Sequence, residues 1–459
     1  MTAVPGPADR HVCVVGAGFA GLAVARELHV RAIPFTCLDR GTGIGGVWRY
    51  SGTGASPAYP SLCLNTSKHT TAFTWSPMPD ACPTHPRHDQ VAAYLDAAAH
   101  AFRDRVELDT AVDAVHPEGD GTWTVTTRDR RGGVRHRNFS HVVMATGHHW
   151  NPRLPSIPGL AGFPGTVVHT LDYRGAEAYA GRRVLVLGLG NSACDVATAV
   201  SHVADRTVLA VRHGAHIVPR HLMGVPLDQL NRRWWWAALP ARAQSGLVAA
   251  VLRATRGPLA DHGLPQPRRP VLATPLVVSD DLPERLRGGA ITVRPAISHV
   301  DHATVHFADG TRDDFDAVIC CTGYRMGAPV VPREALFRPT GQAALYLRVV
   351  PPHHAGLYFA GFVRGVVRPL GALTPVFEAQ AAWIADLVRG VAALPDTGTM
   401  VAEVDAHLRW TERHHGTTAA DSLQVDVARH LRALRRARSE GSGPRGTADR
   451  LVLSKRSTR

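Results

Sequence analysis

The chain has 459 residues, 45% of them apolar and 19% charged, with a formal net charge of +13. That length and composition support two or three domains with cores of their own and exclude a fibre or a chain disordered throughout. The charge alone would point to nucleic acid or an acidic surface; however, the basic residues are nearly all arginines spread along the chain, with Lys68 and Lys455 the only lysines, so no nucleic-acid partner is expected.

The N-terminal MTAVPGPADR has no apolar run, which argues against a signal peptide. Next comes HVCVVGAGFAGLAVARELH, an apolar strand, a glycine turn and an amphipathic helix, with Gly16, Gly18 and Gly21 at GxGxxG spacing. The first glycine permits the tight turn, the second lets backbone approach a pyrophosphate, and the third lets helix pack on strand. The pyrophosphate then lies at a helix N-terminus, where free amides and the dipole favour negative charge. The following strand ends at Asp39, about 20 residues on, where a carboxylate accepts from a ribose 2′-hydroxyl and repels a 2′-phosphate. This favours FAD or NAD.

A glycine turn, GTGIGGVWRY, follows, and then a proline-rich stretch from 51 to 90 reads as a covering loop. After the helix VAAYLDAAAHAF come strands around VELDTAVDAVHP, TWTVTTRD and RHRNFSHVVMATG, the second and third forming a hairpin that turns at Asp129 to Gly133. The run NPRLPSIPGL is the expected crossing to a second unit. That unit opens with RRVLVLGLGNSACDVATAV, placing Gly188, Gly190 and Ala193 in the fingerprint positions. Its next strand ends at Arg212 and His213 without an acid, which favours the 2′-phosphate of NADPH.

An insertion at about 222–285 contains Trp234, Trp235, Trp236 and the helix ARAQSGLVAAVLRAT, and it could bury against a second copy in a homodimer. ITVRPAI, TVHFADG and DAVICCTGY lead back to the first unit, which GLYFAGF and the helix PVFEAQAAWIADLVRG complete. The expected fold is therefore α/β with two Rossmann-like dinucleotide-binding domains, the NADP domain inserted into the FAD domain. The FAD domain takes 1–160 and 313–395 and the NADP domain 161–312. A helical segment at 396–438 and a disordered basic tail at 439–459 follow.

No apolar stretch reaches the ~18 residues needed to cross a bilayer, so a soluble, cytoplasmic protein without a transmembrane anchor is expected. The seven cysteines form no CxxC pair; Cys320 and Cys321 point to opposite faces of one strand and read as core fillers. His213, His216 and His221 lack accompanying acidic or cysteine ligands, so no metal is expected.

Beyond these signals, FPGTVVHTLDYR, with Phe163, Gly165, His169 and Tyr173, resembles the identifying pattern of flavin-containing monooxygenases. The likeness extends over IGGVWRY, LNTSK, ATGHHWNPRLPSIPG, GNSACDVA, FADGT, CTGY and FEAQAAW, that is, essentially residues 10–390. It implies that Gly16, Ala17, Gly18, Phe19, Ala20, Gly21, Asp39 and Arg40 hold the ADP half of FAD, with Val47 and Trp48 beside the rest. It implies Asn65 as the catalytic amide over the flavin with Thr66 sharing that region, and Gly188, Gly190, Asn191, Ser192, Asp195 and Arg212 as the NADP(H) site. His169 would link the two nucleotide sites without acting as acid or base.

The reaction the resemblance implies uses NADPH to reduce FAD. O2 then adds at C4a, and the hydroperoxide transfers oxygen to the soft nitrogen or sulfur of a small amine or sulfide. Two alternatives remain open: Baeyer-Villiger oxygenation of a ketone, whose enzymes usually carry tryptophan where Tyr173 stands, and a flavin-binding protein without oxygenase turnover. The chain departs from the family pattern at Arg174, where lysine is usual, at Cys321, where alanine is, and in TTAFTWSPMP, which leaves the substrate entrance open.

Overall fold

The computed structural model describes residues 11–52, 56–272, 276–366 and 371–440; beyond Glu440, the expected basic tail lies outside them. Two parallel five-stranded sheets organise the chain. In the first, the spatial order is Leu357–Phe359, His141–Met144, Val12–Val15, Phe35–Leu38 and Val106–Glu107. In the second it is Ile291–Arg294, Arg206–Ala210, Arg183–Leu187, Ala317–Cys320 and Thr166–His169. The central strands are short apolar runs buried on both faces, as parallel sheets covered on both sides require.

Each fingerprint opens a helix from the end of a central strand. Phe19–Val30 follows Val12–Val15, and Asn191–Val200 follows Arg183–Leu187. Phe19–Val30 packs against Thr374–Arg389, so the late helix covers the first sheet beside the first fingerprint. An antiparallel meander of Thr110–Pro117, Trp123–Asp129 and Val134–Phe139 hangs from the first sheet. Its second hairpin closes at Asp129, whose backbone N–H donates to Gly133 O at 3.0 Å. The run read as one strand, RHRNFSHVVM, divides at Ser140, whose N–H donates to His11 O at 3.0 Å, so that His141–Met144 enters the first sheet.

One boundary differs from expectation. Ala317–Cys320 pairs in parallel with Arg183–Leu187 and Thr166–His169, inside the second sheet. The second unit therefore runs past the expected border at 312/313, because a four-residue apolar strand buried on both faces needs a neighbour on each side. Cys320 and Cys321 fall in separate cores on the two faces of that sheet, as their adjacency implies. All seven cysteines are free.

The insertion has its own apolar core around Val218, Leu230, Trp236, Val248 and Val278. The helix Ala241–Arg256 covers it, and Ile217–Val218 pairs with Val277–Val278 at its base. Trp236 is buried, whereas Trp234 and Trp235 are exposed. No helix among the described residues is long and apolar enough to cross a membrane.

The helix Thr397–His414 is tied down by an ion pair. Arg348, 2% exposed, donates to Glu403 Oε2 at 2.8 Å, and the same oxygen accepts from Leu347 N–H at 3.2 Å. Glu403 thus holds a turn in which Leu347 and Arg348 both have positive φ (45° and 59°). Glu403→Ala strands a buried guanidinium and is expected to lower stability by about 3 kcal/mol, read as a fall in the thermal midpoint; an unchanged midpoint would refute this.

Candidate functional site

The first fingerprint fits where only glycine can. A Cβ on Gly16, whose φ is +111°, would stand 2.5 Å from Ala145 O, and one on Gly21 would stand 1.8 Å from Gly16 O. Gly18 lies against Gly46, which belongs to the Gly46–Trp48 turn that carries Val47 and Trp48. Asp39 closes the loop: its carboxylate accepts from Ala17 N–H at 2.6 Å and from Gly41 N–H at 2.7 Å. Two lone-pair positions remain for a ribose. Arg40 is exposed in an open groove with Asp109, Arg128 and Arg130. Phe19 packs on Phe73 and Tyr94, while Ala20 abuts Gly361. The Thr146 hydroxyl, next to the carbonyl that touches Gly16, is buried and without a partner, and so is Gln380 Nε2, whose Oε1 accepts from Gly361 N–H at 3.0 Å. Glycines whose Cβ would fill the loop and unspent polar atoms along the same edge fit an extended dinucleotide such as FAD.

The second fingerprint repeats the construction. A Cβ on Gly188 (φ +118°) would stand 2.6 Å from Cys321 O, whereas Gly190 faces open space. Asn191 uses its Oδ1 to accept from Val278 N–H at 2.7 Å, which ties the helix start to the insertion. Ser192 follows it in the first turn, and Ala193 is buried as the third fingerprint position requires. Arg212 is exposed at the end of its strand with His213, whose protonation is disfavoured first by desolvation and then by the charges of Arg212 and Arg268. Such a cationic strand end fits a 2′-phosphate.

Asp195 is held by a residue that sequence reasoning did not single out. The buried Tyr59 hydroxyl, on the proline-rich segment, donates to Asp195 Oδ2 at 2.6 Å, 136 residues away. Burial pushes the Asp195 carboxyl up, and the Tyr59 bond opposes that shift. Tyr59 packs edge-on against Tyr173, which stacks on Tyr179, so Tyr173 is a buried member of this cluster. Arg174 donates to Gly52 O at 2.9 Å and to Leu171 O at 2.8 Å, fastening the start of the segment to the motif.

Asn65 and Thr66 lie on the same segment, clamped from the second unit. The buried Asp228 carboxylate accepts from Ser67 N–H at 2.7 Å, Ser67 Oγ at 2.8 Å and Thr70 Oγ1. Arg220, paired with Asp280 at 2.9 Å, donates to Asn65 Oδ1 at 3.4 Å. That bond leaves the Asn65 NH2 to serve as donor elsewhere. Thr66 Oγ1 pairs with Thr71 Oγ1 at 2.7 Å. Lys68 is buried with its ammonium donating to Pro79, Asp80 and Cys82 carbonyls; as one of two lysines in an arginine-rich chain, it was a legible signal that this loop is ordered.

His169 stands where the two units cross. Its Nδ1 accepts from Leu171 N–H at 3.1 Å, so Nε2 donates to Gly323 O at 2.9 Å. With both nitrogens engaged, the neutral ring has no role as acid or base. Burial holds His169 below its usual pKa of 6.5. A depressed pKa contributes stability above about pH 6.5 that is lost on acidification. His169→Asn keeps an N-cap acceptor but does not titrate, so its thermal midpoint is expected to fall less steeply than that of the parent between pH 6.5 and 5. Identical slopes would contradict this.

Among the described residues, no group of histidine, cysteine and acidic side chains could hold a metal. The family model described as flavin-binding monooxygenase-like matches residues 9–438. Flavin-containing monooxygenase 5 of Oryctolagus cuniculus is 32% identical over 440 residues, covering 91% of this chain and 81% of that protein. Flavin-containing monooxygenase 3 of Macaca mulatta is 30% identical over 434 residues, covering 91% and 80%. Among solved structures, S-allyl-L-cysteine S-oxygenase from Allium sativum superposes with a TM-score of 0.69 at 24% identity, covering 94% of this chain and 88% of that one. Cyclohexanone-bound cyclohexanone monooxygenase superposes with a TM-score of 0.71 at 20% identity, covering 95% and 98%. At these identities the two structures speak to fold alone.

Proposed function

The chain belongs to the flavin-binding monooxygenase-like family, whose enzymes use FAD and NADPH, and we propose that it oxygenates a soft nitrogen or sulfur centre of a small molecule at the expense of NADPH and O2. The observation that carries this reading is the placement of Asn65. It lies on a segment of the first unit that Asp228, Arg220 and, through Asp195, Tyr59 lock to the second unit. Bound FAD and NADPH supply the electrons and the activation of dioxygen.

The chain itself binds, orients and shields. The first fingerprint and Asp39 hold the first nucleotide, and Gly188, Gly190, Asn191, Ser192 and Arg212 the second. Asn65, with its carbonyl oxygen occupied by Arg220, offers an N–H donor to developing negative charge. The segment carrying Tyr59, Lys68 and Phe73 excludes water, which would otherwise divert the oxidant to hydrogen peroxide. No protein base is needed for a thioether or a weakly basic amine, whose lone pair is free at neutral pH. This supports heteroatom oxygenation; a ketone substrate is the second outcome tested below.

The purified yellow holoenzyme is expected to convert a panel of thioethers and tertiary amines, with one NADPH consumed per S-oxide or N-oxide detected by mass spectrometry. Ester formation from ketones with inert amines and sulfides would establish Baeyer-Villiger chemistry instead, and NADPH oxidation yielding only peroxide would defeat both. Asn65→Ala removes one preorganised donor and is expected to cut product formation about 100-fold while NADPH oxidation persists as peroxide release. Tight coupling in that variant would remove Asn65 from the mechanism. Arg212→Ala loses a charge-assisted bond and should raise the KM for NADPH, but not for NADH, by roughly tenfold or more; equal effects on both would reassign Arg212.

A further inference from the structure

The strands His141–Met144 and Leu357–Phe359 are parallel neighbours, and Ala360 N–H donates to Met144 O at 2.9 Å. Both leave the first sheet at the same carboxyl edge, the edge at which ligands bind in such folds. One continues into Thr146, Gly147, His148 and His149; the other reaches Arg364 within a few residues. The His148 and His149 rings lie 4.2 Å apart, and His149 meets Tyr324 edge-on at 5.4 Å. Tyr324 in turn meets His169 at 5.0 Å. The histidine pair therefore stands at the crossing between the two nucleotide loops.

Three features at this edge are unspent. His148 Nδ1 is buried without a partner. His149 keeps solvent access. The half-buried Arg364 guanidinium has no hydrogen bond or ion pair among the described residues. Asp421, the acid whose charge acts on it, accepts from Thr418 N–H at 3.1 Å and Thr418 Oγ1 at 2.7 Å. The neighbouring cation, Arg153, is turned to Thr322 O at 2.9 Å. Burial first keeps both imidazoles neutral, followed for His148 by the charges of His149 and Arg364 and for His149 by that of Arg364, and His149 is brought down to about 4. A partly desolvated guanidinium without a counter-ion is costly unless a ligand supplies one.

We propose that Arg364, flanked by His148 and His149, receives a carboxylate of the substrate, so that the molecule oxygenated is a thioether or amine that also carries an acid group. The inference rests on the heteroatom reading above and names its substrate class. The guanidinium fork matches a carboxylate with two parallel bonds, and a neutral imidazole N–H adds a donor. The nucleotide phosphates have other places, at the two fingerprint turns and Arg212.

The test uses the FAD-loaded enzyme with 3-(methylthio)propanoate and its methyl ester. S-oxide formation gives kcat/KM for each, and perturbation of the flavin spectrum gives the Kd of the acid without turnover. The parent is expected to prefer the acid at least about tenfold. In Arg364→Gln the acid-to-ester ratio should fall toward one and the Kd of the acid rise about tenfold, with Arg364→Lys in between. An ester used as well as the acid by the parent, or acid binding unaltered in Arg364→Gln, overturns the proposal. A raised KM for NADPH with intact acid binding overturns it as well, by assigning Arg364 to a cofactor phosphate. Should neither compound be oxygenated while Arg364→Gln still weakens acid binding, the heteroatom reading fails and the carboxylate site stands.

Discussion

A backbone carbonyl pressed against a glycine organises both halves of the molecule. In the first unit it is Ala145 O against Gly16, in the second Cys321 O against Gly188, and in each a Cβ would overlap the oxygen. The contact forces the neighbouring strand to end level with the nucleotide turn, so the residues that follow it are delivered to the same edge. Those residues are Thr146 to His149 in one unit and Thr322 to Tyr324 in the other, and they join. Pro152 bridges Tyr324, Arg153 N–H donates to Gly323 O at 3.0 Å, and Arg325 N–H donates to Asn151 O at 2.7 Å. A constraint on two glycines thereby fixes the crossing between the units, and His169 caps it through Gly323. It also explains why Cys321 can stand where alanine is usual: the contact uses its carbonyl, and the side chain enters the core.

What was legible in the chain was local. The two fingerprints, the Asp129 turn, the helix Ala241–Arg256 and the late helix Thr374–Arg389 are each written within a few consecutive residues, by glycine spacing, turn chemistry or apolar period. What escaped depends on contacts between distant segments. Ala317–Cys320 reads as an apolar strand but says nothing of which sheet completes it. Tyr59 with Asp195 and Ser67 with Asp228 join residues 136 and 161 apart, and neither a tyrosine in a loop nor an aspartate in a helical turn carries a mark of its partner. Asp39 was legible as a ribose acceptor, whereas its hold on Ala17 and Gly41 needed coordinates.

The acids around the crossing share a condition. Asp195 is bonded to Tyr59, Asp228 to Ser67 and Thr70, and Asp280 to Arg220. Each already has a donor, so none is poised to take a proton from an incoming molecule. The histidines are engaged or held neutral by burial. Of the cations, Arg212 follows a strand end and Arg364 opens a short strand, while Arg220 is already paired with Asp280.

That imbalance bears on which nucleophile such a crevice favours. An aliphatic amine with a pKa like that of lysine, about 10, is overwhelmingly protonated at neutral pH, and freeing its lone pair costs about 4 kcal/mol. With Asp195, Asp228 and Asp280 already bonded, these acids offer no free base to deprotonate it. A thioether bears no such cost, since its lone pair is free at any pH, and a weakly basic amine bears little. If Arg364 receives a substrate carboxylate as proposed, the same distribution of charge favours sulfur, or nitrogen of low basicity, as the atom to be oxygenated.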